Sequence, residues 1–121
     1  MQAYRAGLSV RERLAAAGPG SASLQRDLSA SQDKLGDVLM AQGRLDDAIR
    51  AYRSSLAIRQ RLAAEHPHDA SWQRDLSASQ ERIGDALVAQ GLLADALAAY
   101  SQSLAIRELS TAEQFRATVA E

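Results

Sequence analysis

Cysteine is absent from the 121 residues of this sequence. Its absence excludes disulfide bridges, thiolate metal sites and a cysteine nucleophile. Proline occurs only twice and aromatic residues make up 4% of the chain, a composition that favours helices over strands. Long apolar runs are also missing: no stretch approaches the roughly eighteen apolar residues of a membrane-spanning helix, and the N-terminus lacks a signal peptide's apolar centre. The sequence therefore predicts a helical protein with no membrane partner, for which the cytoplasm is the default location.

Neither sign of charge is in excess, since the formal net charge is -1. A chain with this balance has no global field that would attract nucleic acid, so no DNA or RNA partner is expected. The content of 46% hydrophobic and 24% charged residues is that of one soluble globular domain over residues 1–121. Abundant alanine and the preference for arginine over lysine favour a bacterial, GC-rich genome.

One segment of the chain occurs twice. Gln25 to Gly43 reads QRDLSASQDKLGDVLMAQG, and Gln73 to Gly91 reads QRDLSASQERIGDALVAQG, at an offset of 48 residues. The same offset relates Tyr4, Tyr52 and Tyr100. Such a tandem array buries its core between neighbouring units rather than inside one.

Apolar residues at helical spacing predict the helices of each unit. A first helix is expected over about residues 3–17, and a second from a cap at Ser21 or Ser23 to a stop at Gly43. The third ends near Pro67, and the second copy repeats this order. Because the turns are short, successive helices must run antiparallel. The predicted fold is an all-α antiparallel helix-hairpin solenoid of about two and a half repeats.

The repeat offset also divides the chain into units. Residues 1–20 form a half repeat, residues 21–68 the first full repeat and residues 69–108 the second. After residue 108 the repeated sequence is lost. Residues 109–121 are either a short capping helix, beginning at Ser110, or a continuation of the preceding helix.

Each unit resembles the tetratricopeptide repeat. The family's pattern is a Leu-Gly pair, a large residue three positions on, a turn glycine, an alanine five residues further and an aromatic four after that. The matching residues are Leu35, Gly36, Leu39, Gly43, Ala48 and Tyr52 in one unit, and Ile83, Gly84, Leu87, Gly91, Ala96 and Tyr100 in the other. Two features depart from the pattern: the family's early tryptophan is replaced by Gln32 and Gln80, and the 48-residue period exceeds the usual length of about 34. The longer period looks like the long-helix variety seen in bacterial tandem arrays.

The resemblance implies a peptide-binding groove on one face of the first helix of each unit. Helical spacing places residues 26, 30, 33 and 37 on one stripe, distinct from the stripe of core leucines. The candidate groove comprises Arg26, Ala30, Asp33, Asp37, Met40, Arg74, Ala78, Glu81, Asp85 and Val88. Its four acidic residues disfavour a clamp for a partner's carboxylate and favour a basic protein or peptide partner. The alternative is a solvated acidic face without a ligand.

Arg59 and Arg61 lie on a different helix. They are interpreted as solvent-exposed residues on the outer side of that helix, or as residues that pair with the acidic stripe of another chain.

No catalytic constellation or cofactor motif is found, so an enzyme is not expected. His66 and His68 flank Pro67 without a third ligand and are interpreted as a polar loop rather than a metal site. Protein–protein interaction is the expected function. The alternative is a structural role, in which the chain forms a homo-oligomer through uncapped terminal helices, with Tyr4, Leu8 and Leu14 at the contact.

Overall fold

The computed structural model describes residues 21–120, apart from the side chains of Ala117 and Ala120. Within that range the chain is a succession of long helices, and each packs against the next along the chain. They are α1 (Ala22–Ala41), α2 (Leu45–Glu65), α3 (Ala70–Ala89) and α4 (Leu93–Ala120). The predicted all-α fold of antiparallel helix hairpins is confirmed for this part of the chain. No helix of residues 21–120 is both long enough and apolar enough to cross a membrane.

The first predicted helix, over residues 3–17, lies outside the described residues. The same holds for Tyr4, Leu8 and Leu14, so self-association through them stays a prediction. The division of the chain at residues 20, 68 and 108 stays a prediction as well.

Capping residues and glycines set the ends of the helices. The Ser21 hydroxyl caps α1 by accepting a hydrogen bond from the Leu24 amide at 3.3 Å. Asp69 caps α3 by accepting one from the Ser71 amide at 2.9 Å. Gly43 and Gly91 follow α1 and α3 with φ of 74° and 79°, a left-handed conformation that glycine adopts without steric cost. These turns fold α1 onto α2 and α3 onto α4.

Small residues opposite tyrosines let the helices of each hairpin approach closely. A Cβ atom added to Gly36 would lie within 3.0 Å of three ring atoms of Tyr52, and one added to Gly84 would meet Tyr100 in the same way. Tyr52 is 3% exposed, and Ala48 beside it is fully buried. The glycine–tyrosine contact is therefore present in both hairpins.

One apolar core runs through both hairpins and the contact between them. It contains Leu39, Ala48, Ile49, Ala51, Tyr52, Ile83, Ala86, Leu87, Ala96 and Ala99. The core thus continues from one unit into the next, as expected of a tandem array.

The last helix continues where the corresponding helix of the first unit stops. The segment after α2 contains Pro67, whereas α4 runs without a break from Leu93 to Ala120. No proline or glycine occurs in the sequence of α4, so no helix-breaking residue terminates it near residue 113. The alternative of a separate capping helix beginning at Ser110 is wrong.

Candidate partner-binding face

Asp37 and Asp85 carry the exposed carboxylates of the candidate groove. Each occupies the same position in its hairpin and is exposed. The hydroxyl of Tyr52 donates a hydrogen bond to Asp37 at 2.6 Å, and the hydroxyl of Tyr100 donates one to Asp85 at 2.5 Å. Because the tyrosine rings pack against the glycines of α1 and α3, these bonds fix the two carboxylates relative to the helix hairpins. We call Asp37 and Asp85 the carboxylate pair.

The tyrosines remain hydrogen-bond donors well into the alkaline range. Burial, followed by the hydrogen bond to Asp37, raises the pKa of Tyr52 above its usual range. The hydrogen bond to Asp85 raises the pKa of Tyr100. The orientation of the carboxylate pair is therefore preserved throughout the physiological pH range.

Asp33, predicted to line the groove, instead faces the interior. Its side chain is 3% exposed and forms an ion pair with Arg59 of α2 at 2.8 Å. Burial raises the pKa of Asp33, and the attraction of the Arg59 guanidinium only reduces that shift. Asp33 therefore serves internal packing, and its negative charge is neutralised within the chain.

Glu81 is the counterpart of Asp33 in the second unit and is only half-buried. It pairs with Arg107 of α4 and accepts a hydrogen bond from the Ser103 hydroxyl at 3.2 Å. Its carboxylate is thus partly neutralised but remains in contact with solvent.

Basic residues lie close to the carboxylate pair. Arg82 of α3 approaches Asp37 at 3.4 Å and Asp33 at 3.6 Å, and it joins the two units across this face. Lys34 is exposed one turn before Asp37. The face is therefore less acidic than its carboxylates alone suggest.

The two arginines of the candidate groove differ in their surroundings. Arg26 forms an ion pair with Asp75 at 2.8 Å, and its guanidinium lies 4.7 Å from the centre of the Trp72 ring. Arg74, its counterpart one unit later, is exposed. Arg26 therefore helps to join α1 to α3, whereas Arg74 extends towards solvent.

Apolar and small residues complete the candidate groove. Ala30 and Ala78 are half-buried on α1 and α3, as is Met40 near the end of α1. Val88, the counterpart of Met40, is 46% exposed. These side chains offer a partner a modest apolar surface beside the carboxylate pair.

Arg59 has a role that was not expected from the sequence. The interpretation of this residue as part of a solvated helix back is wrong, because it is 8% exposed. Its guanidinium donates hydrogen bonds to the Ser29 hydroxyl of α1, the Asp75 carbonyl of α3 and the Ser79 hydroxyl of α3. Its ion pair with Asp33 lies within one chain, so pairing with a second chain is also wrong for Arg59. Arg61 is exposed and donates to Gln25 at 2.9 Å.

The loop histidines have a packing role in part. The ring of His66 stacks on that of Trp72, with centroids 5.0 Å apart, while His68 is exposed. Within residues 21–120 no group of three histidine, cysteine or acidic side chains is placed to hold a metal ion. What the face offers chemically is a set of fixed carboxylates, which suits binding.

Comparison with known proteins agrees with this architecture. No curated protein matches the chain at a significant level. The family model described as tetratricopeptide repeat matches residues 27–109, which include most of α1, all of α2 and α3, and more than half of α4. Repeats of that family generally mediate protein–protein interaction and are typically non-catalytic. Since the match covers well over half of the sequence, the chain belongs to the tetratricopeptide repeat family.

Proposed function

We propose that this protein is a non-catalytic scaffold that binds a basic segment of a partner protein at the carboxylate pair, on the face formed by α1 and α3. The observation that carries the proposal is the repeated hydrogen bond from tyrosine to aspartate. Each carboxylate is oriented by the hydroxyl of a tyrosine whose ring packs against a glycine of the same hairpin. Two such carboxylates at equivalent positions provide acceptors for two arginines of one extended segment.

Rigidity supports this mechanism. The carboxylate pair lies on two helices that are packed into one core, so the face needs no reordering when a partner binds. An arginine of the partner can form two parallel hydrogen bonds with each carboxylate. The half-buried Ala30, Ala78 and Met40 would contact the apolar part of the bound segment.

The nearby cations set the expected strength of binding. Arg82 reduces the negative potential at Asp37, and Lys34 adds a further positive charge. We therefore expect micromolar rather than nanomolar affinity, with an association rate that falls as salt rises. The partner's apolar contacts with the groove would be less sensitive to salt.

The proposal is tested with a fluorescein-labelled extended peptide that carries two arginines, and with the same peptide carrying glutamines instead. Binding is followed by fluorescence anisotropy at about 0.05 M and about 0.5 M salt. The protein variant combines Asp37→Asn and Asp85→Asn. Asparagine retains an oxygen that can accept the tyrosine hydrogen bond, so this variant removes charge and preserves the local geometry.

We expect the arginine peptide to bind the wild type and to bind the double variant at least about fivefold more weakly at low salt, with the difference shrinking at high salt. The matched control is Asp95→Asn, which removes an exposed charge from the first turn of α4. It should leave the affinity unchanged. Equal binding of the arginine and glutamine peptides, or equal loss in the control, would contradict the proposal.

A further inference from the structure

The outward face of α4 is exposed where the corresponding face of α2 is covered. Ile49 of α2 is 6% exposed, whereas its counterpart Leu97 on α4 is 66% exposed. Leu56 is half-buried, and its counterpart Leu104 is 57% exposed. The helix that follows α2 and packs against it is α3. Within the described residues, no helix covers this face on α4.

Two arginines of the first hairpin bind α3 where it packs onto that hairpin. Arg26 forms the ion pair with Asp75 and lies over the Trp72 ring. Arg59 donates to the Asp75 carbonyl at 3.1 Å and to the Ser79 hydroxyl at 2.9 Å. The docking residues of α3 are therefore an aromatic, a carboxylate three residues later and a hydroxyl four residues after that.

The second hairpin has arginines at the two equivalent positions, and within the described residues no helix covers them. Arg74 and Arg107 are the counterparts of Arg26 and Arg59, and both are exposed. Arg107 already holds its acidic partner on the neighbouring helix, Glu81, as Arg59 holds Asp33. A cleft of about 440 Å³ between α3 and α4 is lined by both arginines together with Ser77 and Thr111. This cleft beside Arg74 is equivalent to the site in the first hairpin beside Arg26, which the first turns of α3 occupy.

We infer that the open face of α3 and α4 binds a helix of a partner protein that carries the docking pattern of α3. We call this surface, formed by Arg74, Leu97, Leu104, Arg107 and Phe115, the end face. Charge complementarity favours this occupant: both arginines can bind acceptors, and the partner's carboxylate would reach Arg74 as Asp75 reaches Arg26. The apolar stripe needs an apolar helix face opposite it, and α3 supplies such a face to α2 in this same molecule.

The length of α4 adds a specific feature to the end face. Phe115 lies eleven residues after Leu104, three helical turns further along the same stripe, and is 69% exposed. The position corresponding to the end of α2 is Glu113, so Phe115 extends the stripe beyond the part that α2 offers to α3. A partner helix therefore makes an additional apolar contact that α3 does not make with α2.

The end face differs from the carboxylate pair in the sign of the partner that it selects. The carboxylate pair favours a basic segment, whereas the end face favours a helix with a carboxylate opposite Arg74. The carboxylate pair and the end face share no residue, so Asp37 and Asp85 variants test the first surface and Arg74 and Leu104 variants test the second.

The probe is a fluorescein-labelled synthetic peptide with the sequence of residues 69–90, which contains Trp72, Asp75 and Ser79. Its binding to the full chain is measured by anisotropy for the wild type and for Arg74→Glu. A second peptide carries Asp75→Arg. Arg53→Glu, a charge reversal at another exposed arginine, is the matched control. Circular dichroism confirms that each variant is folded.

We expect saturable binding of the first peptide, weakened at least about fivefold by Arg74→Glu and unchanged by Arg53→Glu. The Asp75→Arg peptide should bind Arg74→Glu better than it binds the wild type. Leu104→Glu should abolish binding of both peptides. The double variant Asp37→Asn with Asp85→Asn should bind the first peptide as the wild type does.

Absence of saturable binding to the wild type at about 1 mM peptide, which corresponds to a binding free energy weaker than about -4 kcal/mol, would overturn the inference. Equal binding by Arg74→Glu without recovery by the exchanged charges would also overturn it. Light scattering provides a third result: a dimer of the wild type that Leu104→Glu dissociates would assign the end face to a second copy of this chain instead of a partner protein.

Discussion

The hydroxyl of Tyr52 donates a 2.6 Å hydrogen bond to Asp37, fifteen residues earlier on the neighbouring helix. Tyr100 and Asp85 reproduce that bond in the second hairpin. In each case the tyrosine ring fills the space beside a glycine while its hydroxyl fixes a surface carboxylate. One side chain therefore links the packing of the hairpin to the chemistry of the candidate groove.

Removal of the hydroxyl tests the structural half of that link. Tyr52→Phe keeps the ring and loses a hydrogen bond to a charged acceptor, so it should lower the free energy of unfolding by about 1–2 kcal/mol. Tyr100→Phe should cost less, because its hydrogen bond is exposed. Urea unfolding of the two variants measures the difference. Wild-type stability in Tyr52→Phe would mean that the hydroxyl contributes nothing.

Alkaline pH should affect the wild type more than Tyr52→Phe. Burial and Asp37 raise the pKa of Tyr52 in the folded protein, whereas an unfolded tyrosine has a pKa of about 10. The folded state thus binds the phenol proton more tightly. This contribution to stability is complete below about pH 10 and is lost as the pH rises through the folded pKa. Denaturant midpoints between about pH 9 and about pH 11 should fall more steeply for the wild type than for Tyr52→Phe. Parallel profiles would contradict the shift.

A methyl group at Gly36 should destabilise the protein although alanine is the better helix former. The added Cβ would meet the ring of the buried Tyr52, and such overpacking costs about 1–3 kcal/mol, against a gain in helix propensity of about 1 kcal/mol. Gly84→Ala should cost less, because Tyr100 is only half-buried and can move. Thermal unfolding of both variants tests this order. A stabilised Gly36→Ala would show that the tyrosine ring yields freely.

The buried arginine should be far more important than its exposed counterpart. Arg59→Met removes the closest counter-ion of the buried Asp33 carboxylate, leaves Arg82 at 3.6 Å, and should cost about 3 kcal/mol. Arg107→Met breaks a partly exposed pair with Glu81 and should cost less than about 1 kcal/mol. Urea unfolding distinguishes the two.

A compensating variant separates lost pairing from lost packing at Arg59. Adding Asp33→Leu to Arg59→Met removes the buried carboxylate that has lost its closest partner and should recover much of the stability. If the double variant is no more stable than Arg59→Met alone, the hydrogen bonds from Arg59 to α1 and α3 account for most of its contribution.

Repetition made most of the fold predictable from the sequence. The 48-residue offset located both hairpins, and the local chemistry of Gly43, Gly91 and Ser21 indicated where helices stop and start. The small residue opposite the tyrosine was recognisable because Gly36 and Tyr52 recur together one unit later. Each of these features depends on local sequence, and each occurs in both copies of the repeat, so one copy supports the interpretation of the other.

The orientation of the acidic residues was less predictable. Asp33 and Asp37 share one helical stripe, but a stripe is broad enough for one edge to face solvent while the other faces a neighbouring helix. The partner that turns Asp33 inward is Arg59, 26 residues away on α2. Local periodicity carries no information about that pairing, and long arginine side chains are more often exposed.

The length of the last helix depends on the absence of a proline or glycine near Ser110. Ser110 followed by Glu113 has the form of a capping box, yet the helix continues through both residues. A capping box only stabilises a helix start where the chain has already turned. Without a proline or glycine at that point, the extended α4 is the lower-energy path.

Peptide-induced shifts of backbone amides, measured by nuclear magnetic resonance, test the functional account most directly. The chain is labelled with nitrogen-15 and titrated with the two-arginine peptide at low salt. The account predicts the largest shifts on α1 and α3 around Asp37 and Asp85, and their loss when both residues are replaced by asparagine. Shifts concentrated on α2 or α4, or shifts that persist in the double variant, would contradict binding at the carboxylate pair.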